Sequence, residues 1–275
     1  MGLIRFTIWR LANRLFPVMH DFDNFRLKRL EIYLSEHLES FSRPLEILKF
    51  PDGQSNPTYL LSSPKAKYVL RRQPDGTLLP SAHAVDREFR VMNALNGAGI
   101  PTPRCLHLCE NEDVIGTMFF IMEFVEGTIF WNPALPELNN DQRARVYGQM
   151  NQVLADLHSV QPKSIGLADF GKPGNYFARQ TDRWVRQYQQ SATETIEEMD
   201  CLTQWLLENL PVDDGTTCVV HGDYRLDNLI FDAERLEILA ILDWELSTLG
   251  NPLADIAYQC MQLRFPDNDI LPGLG

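Results

Sequence analysis

Hydrophobic and polar positions alternate in short runs through the first half of the chain. Residues 45–50, 58–62 and 67–72 read as strands. Pro51-Asp52-Gly53 and Ser63-Pro64 supply the turns between them. The period then becomes helical over residues 81–96, where Val85, Phe89, Met92 and Leu95 form one stripe and Gly97 stops it. Two more strands follow, around Cys105 and across residues 119–124. The pattern predicts a small five-stranded sheet with one inserted helix.

After Gly127 the pattern turns helical. Residues 141–160 carry Val146, Met150, Val153 and Leu157 at helical spacing, with Asn139 or Asn140 as cap. A second helix over 176–190 lines up Phe177, Trp184 and Tyr188, and a third runs near Ile196, Met199, Leu202 and Leu206 to end at Pro211. Residues 216–220, 229–231 and 236–242 read as strands, the last two joined by Asp232-Ala233-Glu234-Arg235. The predicted fold is α+β, dividing into residues 1–126, rich in sheet, and 127–275, mainly helical. Ile4, Ile8, Leu11 and Leu15 lie near helical spacing among Arg5, Arg10 and Arg14. An amphipathic helix packed on the domain is the reading preferred there, with an organelle presequence as the alternative.

Composition narrows the class. Hydrophobic residues make up 44% and charged residues 23% of 275, which excludes disorder. No apolar run approaches the roughly 18 residues of a membrane-spanning helix. The net charge of −12 repels phosphate backbones, so nucleic acid is not an expected partner. Five cysteines without a CxxC pair imply no disulfide framework and suit a reducing compartment, so a cytoplasmic protein is expected. Cys105, His107 and Cys109 would share one face of a strand. Zinc would need a fourth ligand, and burial in the core is the preferred reading.

The strongest chemical signal is His221-Gly222-Asp223-Tyr224-Arg225-Leu226-Asp227-Asn228, between two strand-like segments, with Asp243 at the end of the next strand. Capping of turns explains any one of Asp223, Asn228 and Asp243 alone, but not three at this spacing. On a phosphoryl-transfer template Asp223 orients or takes a hydroxyl proton, while Asn228 and Asp243 offer hard oxygen ligands to Mg²⁺. Arg225 is placed to face a transferring phosphoryl group.

This constellation resembles the Brenner-type motif of the aminoglycoside phosphotransferase and choline kinase superfamily. Phe50-Pro51-Asp52-Gly53-Gln54-Ser55-Asn56-Pro57-Thr58-Tyr59, Val69-Leu70-Arg71-Arg72, Asp86-Arg87-Glu88-Phe89-Arg90 and the run from Asp243 to Pro252 extend the resemblance along nearly the whole chain. They are similar to a subgroup that includes the kinase-like domain of acyl-CoA dehydrogenase family members 10 and 11. The resemblance implies a bilobal kinase-like fold and an enzyme that uses ATP and Mg²⁺ to phosphorylate a hydroxyl of a small molecule, a hydroxyacyl-CoA or related acceptor. It implies catalysis by Asp223 with Arg225, metal binding by Asn228 and Asp243, and bracing by His221 and Asp255.

Gly53, Gln54, Ser55 and Asn56 would cradle phosphate, though an ordinary hairpin turn fits that stretch equally well. Arg71 stands where the wider superfamily has Lys, with Glu88 seventeen residues on to hold it, and Arg72 points to the opposite face. The backbone of residues 122–126, including Glu123 and Val125, would meet the adenine. Trp131, Tyr176, Phe177, Trp184 and Tyr188 read as core before they read as an acceptor pocket. A rival reading is a non-catalytic pseudokinase that binds a nucleotide or a partner. It draws on Arg71 and on Gly275, beyond which related chains continue for several helices, so the chain is either short or truncated.

Overall fold

The computed structural model describes residues 16–17, 24–50, 56–76, 83–172, 174–266 and 273–274. The first half contains β1 (Phe16–Pro17), α1 (Asn24–His37), β2 (Glu46–Lys49), β3 (Thr58–Ser62), β4 (Lys67–Arg72), α2 (Val85–Gly97), β5 (Cys105–Cys109) and β6 (Phe119–Glu123). Its strands form one sheet in the order β1-β2-β3-β4-β6-β5, with every pairing antiparallel. Five of them coincide with runs that the alternation predicts. The sixth, β1, adds two residues at the edge, pairing Phe16 with Lys49 and Pro17 with Leu48. The rest of the amphipathic stretch over residues 1–19 lies outside the described residues, as do Gly53, Gln54 and Ser55.

Strand parity sorts the core into two layers. Tyr68 and Leu70 of β4 and Phe119 and Ile121 of β6 pack under α1, against Leu30 and Leu34. Val69, Phe120 and Met122 face the other way, toward Val91, Met92 and Leu95 of α2. Each fully buried leucine of α1 contributes about 1.5–3 kcal/mol of burial. The same parity puts Arg71 on the α2 face and Arg72 on the α1 face. There Arg72 is buried beside Tyr59, its guanidinium held by Asp75 at 3.0 Å.

One expectation is corrected in β5. Its register against β6 shifts between Cys105 and His107, and such a bulge inverts the in–out alternation. Cys105 turns to the α2 side with its thiol toward the Phe89 carbonyl, whereas Cys109 packs under α1 and His107 Nε2 meets the Tyr33 hydroxyl at 2.8 Å. The three therefore do not share a face. Among the described residues no group of three His, Cys, Asp or Glu side chains is placed to hold a metal.

The second half contains α3 (Asn140–Ser159), α4 (Tyr176–Ser191), α5 (Glu197–Glu208), β7 (Cys218–Val220), β8 (Leu229–Phe231), β9 (Ile238–Ile241), β10 (Thr248–Gly250) and α6 (Leu253–Met261). Asn139 caps α3 in a reciprocal box with Gln142, and Val146, Met150, Val153 and Leu157 bury its inner stripe as predicted. The aromatic stripe of α4 departs from its reading as core. Helices α4 and α5 bury no residue, and Trp184 is 54% exposed. Two antiparallel ribbons, β7 with β10 and β8 with β9, carry the polar loops between them. Among the described residues no helix is long and apolar enough to cross a membrane.

Between the halves the Ile241 N–H donates to the Pro101 carbonyl at 2.8 Å, and the segment that follows residue 126 is pinned to the β8–β9 ribbon. Thr128 and Phe231 exchange two backbone bonds of 2.8 Å. Gly127 permits that approach, because a Cβ there would lie 2.4 Å from Ile230 Cγ2 and 2.6 Å from the Phe231 carbonyl oxygen. Arg87 of α2 donates to the Phe170 carbonyl at 2.9 Å and lies 4.1 Å over the Phe170 ring. Arg90, one turn on, bonds Asp169 and the Gly166 carbonyl.

Candidate active site

Register in the β8–β9 ribbon brings Asn228 and Asp243 side by side. Leu229 stands opposite Ile241, and the Leu242 N–H donates to the Asn228 carbonyl at 2.8 Å. Asn228 closes a single 3₁₀ turn, Leu226–Asn228, and its amide nitrogen donates to Asp223 twice. One bond goes to the Asp223 carbonyl at 2.9 Å and one to carboxylate Oδ2 at 2.8 Å. With both N–H groups used, the Asn228 side-chain oxygen stays available as a ligand. Arg225 forms a two-bond ion pair with Asp227.

His221 ties this loop to the strand before Asp243. Its Nε2–H donates to the Leu242 carbonyl at 2.9 Å and its Nδ1 accepts the Asp223 N–H at 3.1 Å, which assigns the neutral tautomer. Burial holds its pKa below the ordinary histidine value, against the pull of Asp255. The ring lies against Trp244, 4.6 Å between centroids. Behind it, Asp255 is fully buried and accepts from His221 N at 2.9 Å, Gly222 N at 2.8 Å and His158 Nε2 at 2.9 Å. Gly222 has φ +88°, and a Cβ there would meet the Leu246 carbonyl oxygen at 2.9 Å.

Arg71 is the electrostatic centre. Its Nε donates to Glu88 at 2.8 Å, and its Nη2 reaches Asp243 at 2.8 Å and Glu245 at 3.4 Å. Burial pushes the Glu88 carboxyl up to about 7 although Arg71 pulls it down. Asp243 adopts φ +61°, a left-handed conformation that side chains other than Asn and Asp rarely take. One guanidinium thus serves three carboxylates, and the excess negative charge suits a divalent cation. Asp243 and the Asn228 oxygen are hard donors, and Mg²⁺ takes few protein ligands besides water and phosphate, so this donor set fits it.

A cleft of about 520 Å³ gathers these groups between the two halves. From the sheet side it is lined by Asn56, Arg71, Glu88, Glu123 and Val125, and from the other side by Asp223, Arg225, Asn228 and Asp243. Glu123 turns its carboxylate to the Arg104 N–H at 2.9 Å, so in that stretch backbone is what can meet a ligand. Trp131 lines the cleft, whereas Tyr176 packs against Gly250 and Trp184 points to solvent. His221 and Asp255 sit behind the cleft wall. Sequence reasoning missed Glu245, whose signal is its place two residues after Asp243. It also missed Tyr258, three residues after Asp255 on α6.

A nucleotide-sized cleft between a small sheet and a helical half, with polar loops from two ribbons at its floor, defines a kinase-like phosphotransferase architecture. Residues 46–271 match the model of the phosphotransferase enzyme family, and the chain belongs to that family. It is 50% identical to mouse acyl-CoA dehydrogenase family member 10 over 240 residues, covering 87% of this chain and 22% of that one. Rat family member 11 is 44% identical over 251 residues, covering 90% of this chain and 32% of that protein. The chain thus spans a fifth to a third of these relatives. Among solved structures, a "putative aminoglycoside phosphotransferase" from Ralstonia eutropha is 45% identical with a TM-score of 0.79, covering 89% of this chain and 72% of its own. A ternary complex of streptomycin, ATP and APH(2")-IIa is 18% identical with a TM-score of 0.60, over 86% of this chain and 75% of that one, and shares the fold.

Proposed function

We propose that the chain is an ATP- and Mg²⁺-dependent kinase that phosphorylates the hydroxyl of a small acceptor. The observation that carries this reading is the Asp223 carboxylate, fixed by Asn228 at 2.8 Å in the same cleft as the Arg71–Glu88 pair. Residues 1–126 would form the nucleotide lobe and 127–275 the acceptor lobe, with residues 122–126 presenting backbone to the adenine. Residues 53–56 would meet the phosphates, and Arg71, braced by Glu88, would grip their oxygens. Asn228 and Asp243 would hold Mg²⁺, which neutralises charge on the phosphates when bound. Asp223 orients the acceptor hydroxyl and receives its proton as the oxygen attacks the γ-phosphorus, the bond to the β-phosphate oxygen breaks and ADP leaves. Arg225 faces the transferring group. His221 and Asp255 hold the loop that carries Asp223.

The names of the relatives favour a hydroxyacyl-CoA or related acyl acceptor, and five cysteines without a CxxC pair suit a reducing compartment such as the cytoplasm. Transfer of labelled γ-phosphate from Mg·ATP to a panel of hydroxyacyl-CoAs, hydroxy acids, choline, sugars and aminoglycosides tests both claims. Asp223→Asn is expected to abolish transfer while Mg·ATP affinity stays within a few-fold; unchanged turnover would remove Asp223 from its role. A second reading, a nucleotide-binding module without turnover, is favoured by the three carboxylates already engaging Arg71. Intact Mg·ATP binding with no transfer to any acceptor would select it.

A further inference from the structure

Arg87 and Glu88 are neighbours on α2, and each reaches the helical half by its own route. Glu88 accepts from Arg71 Nε at 2.8 Å, and Arg71 Nη2 goes on to Asp243 at 2.8 Å. Arg87 donates instead to the Phe170 carbonyl at 2.9 Å, with its guanidinium 4.1 Å over the Phe170 ring. Phe170 is 1% exposed and lies in the core cluster that runs through both halves. Gly171, the next residue, lies against β10, where a Cβ would meet the Leu249 backbone nitrogen at 2.7 Å. Strand β10 starts at Thr248, a few residues after Asp243. The two routes therefore close a ring, with Arg71–Asp243 inside the cleft and Arg87–Phe170 behind it. Arg87 itself lies outside the set that lines the cleft.

We propose that Arg87 is a positioning residue for nucleotide binding: seated on Phe170, it sets the rotation of α2 at which Glu88 holds Arg71 toward the phosphates. The inference rests on Arg71 being the group that grips them in the proposed kinase. A bond to the carbonyl and a contact with the ring face constrain the guanidinium in two directions at once. Consecutive helical residues turn together, and side chains reach about 5–6 Å from the axis. A rotation of about 15° would thus carry the Glu88 carboxylate about 1.5 Å, enough to break a 2.8 Å bond. Arg71, released from Glu88, would be left to Asp243 and Glu245, its other two carboxylates. That pairing turns the guanidinium away from ATP and occupies a proposed Mg²⁺ ligand. The exposed Arg90–Asp169 pair sits in water and adds less restraint.

Calorimetric Kd values for Mg·ATP and for adenosine test this, since only the former presents phosphates to Arg71. Arg87→Ala should raise Kd for Mg·ATP roughly fivefold or more, the lower end of typical coupling between distinct positions. Kd for adenosine should stay within about twofold. A brace that only stiffens the fold would weaken both ligands alike or neither. Arg87→Lys keeps a cation over the ring and one donor, and should recover most of the loss. On an Arg71→Gln background, Arg87→Ala should add at most about twofold, because both act through one guanidinium. If Arg87→Ala does not fold, Phe170→Leu, which removes the ring and keeps the carbonyl, should show the same split between ATP and adenosine. Equal weakening of both ligands, an unchanged Kd for Mg·ATP, or losses that multiply on the Arg71→Gln background would overturn the role of Arg87 and leave the kinase reading standing. A wild-type protein that binds no Mg·ATP would overturn the kinase reading itself.

Discussion

Glu88 shows what a single buried carboxyl does to this protein. It is 3% exposed, its one strong partner is Arg71, and that guanidinium also serves Asp243 and Glu245. Removal from water raises its pKa to about 7 from 4.5. A carboxyl whose folded value exceeds its unfolded one binds more protons in the native state between those two values. Its stabilising contribution is therefore complete below about pH 4.5 and is lost as the pH rises through about 7. Glu88→Gln should flatten the fall in unfolding free energy across that window, by an amount on the order of a few kcal/mol. Urea melts of both proteins at pH 5, 6 and 7.5, all approximate settings, would read the difference. Parallel slopes would mean that Arg71 keeps Glu88 ionised throughout. At Asp243 the constraint is conformational: with φ +61°, Asn keeps the backbone geometry while Ala changes geometry and ligand together.

Among the elements, α2 stands out because it is fastened at both ends of its task. Glu88 faces the cleft, and Arg87 and Arg90 on its other side clasp the 166–170 segment of the helical half. Because Arg87 combines a carbonyl bond with a ring contact at 4.1 Å, Arg87→Ala should cost about 1–2 kcal/mol. The Arg90–Asp169 pair is exposed and screened by solvent, so its loss should cost less. Thermal melts of the two variants would order them, and equal losses would argue against the ring contact. Elements with local signals were legible in the sequence: β3, β4 and β8 from apolar runs between turns, and α3 from its asparagine cap and stripe. Those that depend on distant partners were not. Strand β10 is three residues whose only reason for being a strand is β7, some 30 residues earlier. The bulge in β5 is set by β6, so period-2 counting misplaced Cys105. In the site, Asp223, Asn228 and Asp243 were readable from spacing. Glu245 acquires meaning only once Arg71, 174 residues earlier, is known to lie 3.4 Å from it.

At the scale of the whole molecule, one buried cluster runs from Val69 and Phe120 of the sheet through α2 and α3 to Val219 and Leu249 of the ribbons. The two halves thus share a core, and a further layer lies under α1. In a protein of net charge −12, Arg71 and Arg225 are the cleft's arginines and both are already paired with carboxylates, so the proposed phosphate recognition would rest on short-range contacts. Loops that carry chemistry belong, as a rule, to the parts of a protein that open most easily. Here the 221–222 amides end on the fully buried Asp255 carboxylate, beside the shared core. Solvent deuterons should therefore reach His221 and Gly222 only when the molecule as a whole unfolds. Their exchange protection should match that of the α3 interior, and much faster exchange would show that the loop opens on its own. Substrates would meet a floor already set, so adaptation to an acceptor falls to the walls of the cleft.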